Sequence, residues 1–444
     1  MSLPDYVVDD PALTSLPRGE LERLQGERLQ AVVAYAHATS GLWRRRLDDA
    51  GVDPAGVRGI RDLAALPMTT RTDLDAEQRE HPPFGDYTCS PRETWMGIFT
   101  ASGTSGRKLK RVVSHRDFRL MLGLLHRNPA PPPGEIFMLL GPVDGLLGPT
   151  VGVEAARARG SIPVLAGTWD TRTKVQAIAE LRPGVVAGAA SYLVHLSEVA
   201  AEMGVDLSRC RLRAVTSFGE PGAAIDATQA TIAVRFGVDQ IIDGYGLTEV
   251  WPLGGNCPQS RALHVHEDVV AVECIDPGTG LAVAEGQPAE IVLTTLVGDS
   301  HPLLRYRTRD VGRLVVSEPC ACGSTFARIA RIEGRTDDMI WYRGANFFPS
   351  AVEEIVRRQD GLSPEYRIVL DDGPRGLPVV TIQVEGGVAS EVQEAQGPQL
   401  HARVREALRG GLGVNPELEV LPVGTLPRAE QTKAKRVLDR RRHR

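Results

Sequence analysis

Residues 99 to 111, FTASGTSGRKLKR, gather glycine, hydroxyl and cation in one short loop, a mixture suited to a polyphosphate. Gly103 and Gly106 free the backbone to turn N–H groups toward an anion. Thr100, Ser102, Thr104 and Ser105 add donors, and Lys108 and Lys110 add charge. No G-x-x-x-x-G-K-[ST] spacing can be read here, so P-loop kinases and GTPases are disfavoured. A second constellation has metal-ligand chemistry. Cys257-x6-His264, followed by Cys320-x-Cys322-Gly323, supplies four soft or borderline ligands in two pairs, the number a closed tetrahedral Zn²⁺ site takes. Gly323 suits the positive φ that points N–H groups at thiolate sulfur. His266 is an alternative to His264, and the bland alternative to zinc is a set of reduced, partly buried side chains. Cys89, Cys210 and Cys274 read as core thiols.

These residues need a scaffold larger than one core, and 444 residues imply more than one folding unit. Hydrophobic residues at 42% and charged residues at 24% are ordinary globular values, which disfavours disorder and fibrous classes. A net charge of −5 argues against a nucleic-acid partner, and the basic RRRHR at 440 to 444 reads as a solvated end. No signal peptide and no run of about 18 apolar residues is evident, so no membrane partner is expected and the chain reads as cytoplasmic. Six cysteines at uneven spacing are too sparse for a disulfide scaffold.

Apolar residues at helical spacing predict a long helix from Leu21 to Leu47. From Glu135 to Val238 short apolar strands (IFMLLG, SIPVLAG, GVVAG, LRAVTSFG) alternate with helical stretches, the rhythm of a layered parallel α/β sheet with crossover helices. Ligands in such sheets bind at strand carboxyl ends, where the Gly219-Glu220-Pro221 turn and the DGYGLTE turn from Asp243 would fall. From 257 to 330 short strands cut by Gly, Pro and Asp predict a small β-rich subdomain that zinc would clip. Past a boundary near Arg335 to Asp338, helices at Ser350–Arg358 and Gln399–Arg409 and strands at YRIVLDD and LPVVTIQVE predict a small α+β domain.

The glycine loop is followed in order by DGYGLTEVWP, RYRTRD, GRTDDMIWYRGANFFP and LPRAEQTKAKR. Together these resemble the adenylate-forming superfamily, and specifically its phenylacetate-CoA ligase branch, as do RLDDAGVDPAGVRGIRDLAALPMTT at 46 to 70, SYLVHLSEVAAEMGVD at 191 to 206 and FGEP at 218 to 221. The resemblance implies an AMP-forming acid–thiol ligase: a carboxylate, expected to be aromatic, attacks the α-phosphorus of ATP, and the acyl-adenylate passes to CoA. Both partners are anions, so donors and cations must offset their charge. The alternatives are an adenylation enzyme serving a carrier-protein thiol or another nucleophile, and a zinc-containing nucleotide-binding regulator without turnover.

The resemblance also assigns roles. Ser102 to Gly106 would close over the β- and γ-phosphates, Thr248 would bond the α-phosphate, and Glu249 would hold Mg²⁺. Tyr245 would stack on adenine, and Asp243, Gly246, Gly219, Glu220 and Pro221 would contact the nucleotide, with the F-G-E-P turn, the Y-G-L-T-E residues and the loop after I-F-M-L-L-G also lining the acyl pocket; Asp310 would take the ribose hydroxyls, and Arg335 would contact the nucleotide. Arg309 stands where the family usually has glycine, so a different local turn is expected. Asp337 matches the hinge between a core at 1–336 and a mobile lid at 337–444. Arg343 and Gly344 would border the CoA path. Lys433 is the expected catalytic lysine, with Lys435 as fallback. A homodimer is the expected assembly.

Overall fold

The structure is a computed structural model, and it describes residues 2–101, 108–127, 131–250, 252–343, 345–373, 378–386, 390–428 and 435–441. They form two compact units, residues 1–168 with 242–332 and residues 169–241 with 333–444.

The first unit opens with α1 (Arg18–Thr39) and α2 (Gly41–Asp49). A single helix over this stretch is corrected: Ser40 divides it. Its backbone is extended, and its hydroxyl accepts from Trp43 N at 3.1 Å and donates to Asp86 O at 2.8 Å. A serine that can bond locally competes with the helical ladder and caps the next helix instead. The break lets α2 bury Trp43 and Leu47. α3 (Arg71–Glu80) begins at a reciprocal Thr70–Asp73 capping box, which fixes Arg71 as its first residue.

β1 (Trp95–Thr100) and β2 (Lys110–Ser114) pair antiparallel and carry the two ends of the glycine loop. α4 (His115–His126), β3 (Ile136–Leu139), α5 (Leu147–Ala158) and β4 (Ile162–Leu165) follow, with β3 and β4 parallel.

In the second unit the alternation continues through α6 (Thr171–Leu181), β5 (Val185–Gly188), α7 (Ala190–Glu202), β6 (Ala214–Phe218) and α8 (Asp226–Phe236). β5 and β6 are parallel, and every residue of β5 is buried, which is why its sequence is a continuous small apolar run.

Back in the first unit, β7 (Gln240–Gly246), β8 (Pro252–Cys257), β9 (Ser260–Val265), β10 (Val270–Ile275), β11 (Ala289–Thr295), β12 (Tyr306–Val315) and β13 (Arg328–Arg335) lie in the order β10-β11-β12-β13-β9-β8-β7. β8 and β9 approach so closely that a Cβ on Gly254 would stand 1.7 Å from the His264 carbonyl oxygen. Only glycine permits that pairing, and the pairing sets Cys257 beside the strand that carries His264.

The chain then forms β14 (Ile340–Tyr342), β15 (Ala345–Phe347), α9 (Pro349–Arg357), β16 (Leu362–Asp372), β17 (Pro378–Gly386), α10 (Ser390–Leu412), β18 (Glu417–Leu421) and β19 (Val437–Asp439). The last four strands lie in the order β18-β17-β16-β19, with Val352, Val356, Val404 and Leu408 packed in one core with Tyr366, Ile368 and Ile382. α10 starts before the expected Gln399 and carries Pro398 inside it. Proline reads as a first-turn signal from sequence, yet here the helix runs through it.

Candidate active site and metal centre

β7 and β12 bring two candidate nucleotide residues together: Tyr245 Oη donates to Asp310 Oδ2 at 2.7 Å across 65 positions of sequence. Asp310 is 6% exposed, and its own N–H donates to Thr308 Oγ1 at 3.0 Å. Arg309, just before it, has φ +66°, the left-handed conformation glycine takes freely. Arg309 therefore holds a backbone conformation of the glycine type. Holding an L-residue there costs about 1–2 kcal/mol, while glycine loses about 0.5–1 kcal/mol more in conformational entropy. Arg309→Gly is expected to stabilise the protein by about 0.5–1 kcal/mol in urea unfolding, and Arg309→Val to destabilise it by more than about 1 kcal/mol.

The Thr248–Glu249 turn is held by two arginines. Arg71 Nη1 meets Glu249 Oε1 at 2.5 Å, and the glutamate side chain is 8% exposed. Arg111, the second residue of β2, donates to the Thr248 carbonyl at 2.5 Å and to that of Val250. Burial lowers the Arg111 guanidinium to about 10, with Asp117 and Glu249 opposing, so it remains a cation at neutral pH. The strand leaving the glycine loop is thereby tied to the T-E turn. Asp243 N donates to Asn256 Oδ1 at 2.8 Å, which fixes the start of the motif. Arg71 was missed in sequence, although it directly follows the P-M-T-T run.

In the second unit, Gly219 has φ +87° and Glu220 turns its carboxylate onto α7, where Ser191 N donates to Oε1 at 2.5 Å. The helix N-cap, Ala189, has no side-chain acceptor, so a distant glutamate takes that duty. Burial pushes the Glu220 carboxyl up, the Glu353 charge adds to this, and Ser191 and Arg357 oppose it. Arg335 Nε pairs with Asp337 Oδ1 at 3.1 Å, joining the nucleotide and hinge candidates. The Arg343 guanidinium stacks 5.0 Å over the Tyr342 ring. Lys435 is exposed, and its neighbour Arg436 reaches Glu365 Oε2 at 2.5 Å. Arg428 meets Glu385 Oε2 at 2.7 Å, and the Glu365 and Glu385 side chains are both 0% exposed. Ser102, Gly103, Thr104, Ser105, Gly106, Gly344 and Lys433 lie outside the described residues.

The four expected metal ligands converge. One donor atom from each of Cys257, His264, Cys320 and Cys322 lies within 4.8 Å of all the others. Cys257 Sγ and Cys320 Sγ are 3.8 Å apart, as are Cys322 Sγ and His264 Nε2. A tetrahedron with metal–sulfur bonds of about 2.3 Å has edges of about 3.8 Å. All six cysteines are free thiols. Gly323 has φ +92°, and its N–H bonds Cys320 O at 2.9 Å, which makes a tight knuckle. Burial raises the Cys320 thiol, but the Cys322 N–H, the neighbouring sulfurs and Arg328 outweigh it and bring it below its ordinary value. Burial, then Arg328, lowers His264 and favours the neutral imidazole that ligates. His266 is not part of the cluster; its Nδ1 lies 3.4 Å from Arg127 Nη1.

Tyr245 of the D-G-Y-G-L-T-E motif thus meets the buried Asp310, and a small α+β fold follows in sequence. A family model described as the AMP-binding enzyme C-terminal domain matches residues 344–441. The chain is 34% identical to the phenylacetate-coenzyme A ligase of Thermus thermophilus, covering 97% of this chain and 99% of that protein. It is 31% identical to the Escherichia coli K12 phenylacetate-coenzyme A ligase, covering 95% of each. Among solved structures, it matches 2-hydroxyisobutyryl-CoA ligase in the postadenylation state with TM-score 0.87, 26% identity and coverage of 99% of this chain and 94% of that one. The same ligase with CoA in the thioesterification state gives TM-score 0.72, at the same identity and coverage. The chain belongs to the adenylate-forming superfamily, in its phenylacetate-CoA ligase family.

Proposed function

We propose that the acid activated by this AMP-forming CoA ligase is aromatic, phenylacetate or a close analogue. The observation that carries the proposal is the likeness to phenylacetate-coenzyme A ligases along almost the whole chain, 34% over 97% of it. In this reading Asp310 accepts from the ribose and Tyr245 stands against adenine. Thr248 bonds the α-phosphate, and the Gly219–Pro221 backbone borders the base, since the Glu220 carboxylate is engaged by Ser191. The Glu249 carboxylate, whose Oε1 meets Arg71, is a hard oxygen ligand that would hold Mg²⁺, and the ion would offset phosphate charge. The glycine loop covers the β- and γ-phosphates, Lys433 completes the site for adenylate formation, and a swing about Asp337 brings the loop at Arg343 and Gly344 to the thiol path. Core and lid meet at 336/337, and the cytoplasm suits six free thiols.

Acid-dependent exchange of labelled pyrophosphate into ATP across a panel of acids tests the substrate. Phenylacetate and its ring-substituted analogues should lead, and a ranking led by short aliphatic acids would sink the proposal. Product formation with free CoA, without a carrier protein, tests the acceptor. Sedimentation tests the homodimer.

The cysteine–histidine cluster is proposed as a structural zinc site. One Zn²⁺ per chain is expected by elemental analysis of the purified protein, and Cys257→Ser with Cys322→Ser should abolish it and lower the melting temperature. Retention of zinc by that double variant would remove the metal from these ligands without touching the ligase reading.

A further inference from the structure

Within the second unit, α9 is joined to α8 by a buried polar cluster that no motif covers. Thr228 Oγ1, 0% exposed, donates to Glu353 Oε1 at 3.0 Å. Arg357, with a side chain 1% exposed, meets the same oxygen at 2.6 Å and also donates to Thr228 Oγ1. Tyr366 Oη donates to Glu353 Oε2 at 3.2 Å. Arg357 Nε and Nη2 are buried without a hydrogen-bond partner among the described residues. Glu353 also lies close enough to the F-G-E-P turn for its charge to raise the Glu220 carboxyl.

A guanidinium buried with orphaned donors is costly, and truncating either member of such a pair strands the other charge. α9 could be anchored more cheaply by apolar contacts like those of its own Val352 and Val356. A contact with this penalty makes sense where it has to be specific and separable. Thr228 lies in the proposed core, whereas Glu353 and Arg357 lie in the segment matched by the C-terminal family model. The structure matches the postadenylation form of 2-hydroxyisobutyryl-CoA ligase with TM-score 0.87 and its thioesterification form with 0.72.

We propose that Thr228, Glu353 and Arg357 are positioning residues for adenylate formation: they hold the C-terminal segment against α8 beside the Gly219–Pro221 turn, and they part for thiol transfer. This rests on the core-and-lid reading above. A two-state arrangement biased by such a contact shifts by about 5- to 150-fold.

The two half-reactions separate this role from simple stability. With Thr228→Val and with Glu353→Gln, acid-dependent pyrophosphate exchange is expected to fall about tenfold. Transfer of a supplied acyl-adenylate to CoA should stay within about twofold of wild type or rise, because that step does not use the contact. Thr228→Ser, which keeps the hydroxyl, should retain exchange and serves as the folded reference if the valine variant is lost. Equal losses in both half-reactions, or unchanged exchange in both variants, would overturn the proposal. Wild-type protein without exchange on any acid would sink the ligase reading itself, an outcome the variants cannot imitate.

Discussion

Glu249→Gln is expected to lower acid-dependent pyrophosphate exchange by about 100- to 1,000-fold, the loss usual when one preorganised charge-stabilising group is removed. The variant should stay folded, because a glutamine oxygen can still accept from Arg71 where the carboxylate does at 2.5 Å. Arg71→Met asks the converse question. It leaves a carboxylate only 8% exposed without its cation. Breaking a fully buried pair costs about 3–5 kcal/mol, and the 23% exposure of Arg71 sets the expectation at the lower end, about 3 kcal/mol. The double variant should recover most of that stability and none of the exchange. Urea unfolding alongside the exchange assay checks both, and exchange within about tenfold of wild type for Glu249→Gln would remove this glutamate from the chemistry.

Glu365→Ala should destabilise the C-terminal strands by about 3–5 kcal/mol, since it strands an arginine whose side chain is 9% exposed. Glu385→Ala should cost less, because Arg428 is 22% exposed and water can reach it. Both glutamates hold arginines that bracket the lysine-bearing segment: Arg428 ahead of it and Arg436 behind it. Arg436 also stacks 4.7 Å over Tyr366, which fixes the guanidinium plane as well as its charge. Faster amide exchange in β16 and β19, with a fall in adenylation, is the expected result for Glu365→Ala. A variant as protected as wild type would show that Arg436 finds another partner.

Sequence pattern sufficed where the backbone obeys local rules. The four strands from Ile136 to Phe218 and the helices between them lie where alternating apolar runs and turn residues indicated, because each is short, buried and bounded by strong breakers. The α1–α2 break was hidden because apolar periodicity runs across it, while its cause, the bond from Ser40 to Asp86, spans 46 positions. The convergence of Cys257, His264, Cys320 and Cys322 was legible, since a Cys-x-Cys-Gly knuckle is a local signal. Arg71, Glu365 and Glu385 were not. A charge at a helix start or on a strand ordinarily faces water, and only tertiary packing turns these inward onto partners as distant as Glu249, 178 positions away. Arg309 shows another limit: its side chain gives no sign of the glycine-type backbone, φ +66°, that it holds.

If Asp310 takes the ribose hydroxyls as proposed, its hydrogen bond with Tyr245 bears on sugar discrimination. With the phenol already on one carboxylate oxygen, a ribose hydroxyl that takes its place swaps one bond for another, so the net gain is a fraction of the roughly 1 kcal/mol of an ordinary bond. A deoxyribonucleoside triphosphate lacking that hydroxyl leaves the tyrosine where it was. The carboxylate is then never stranded, and the usual penalty of about 1–3 kcal/mol for an unmet buried acceptor does not arise. On the proposed ribose role of Asp310, tolerance of deoxy substrates is therefore expected to depend on Tyr245, whose expected partner is the base.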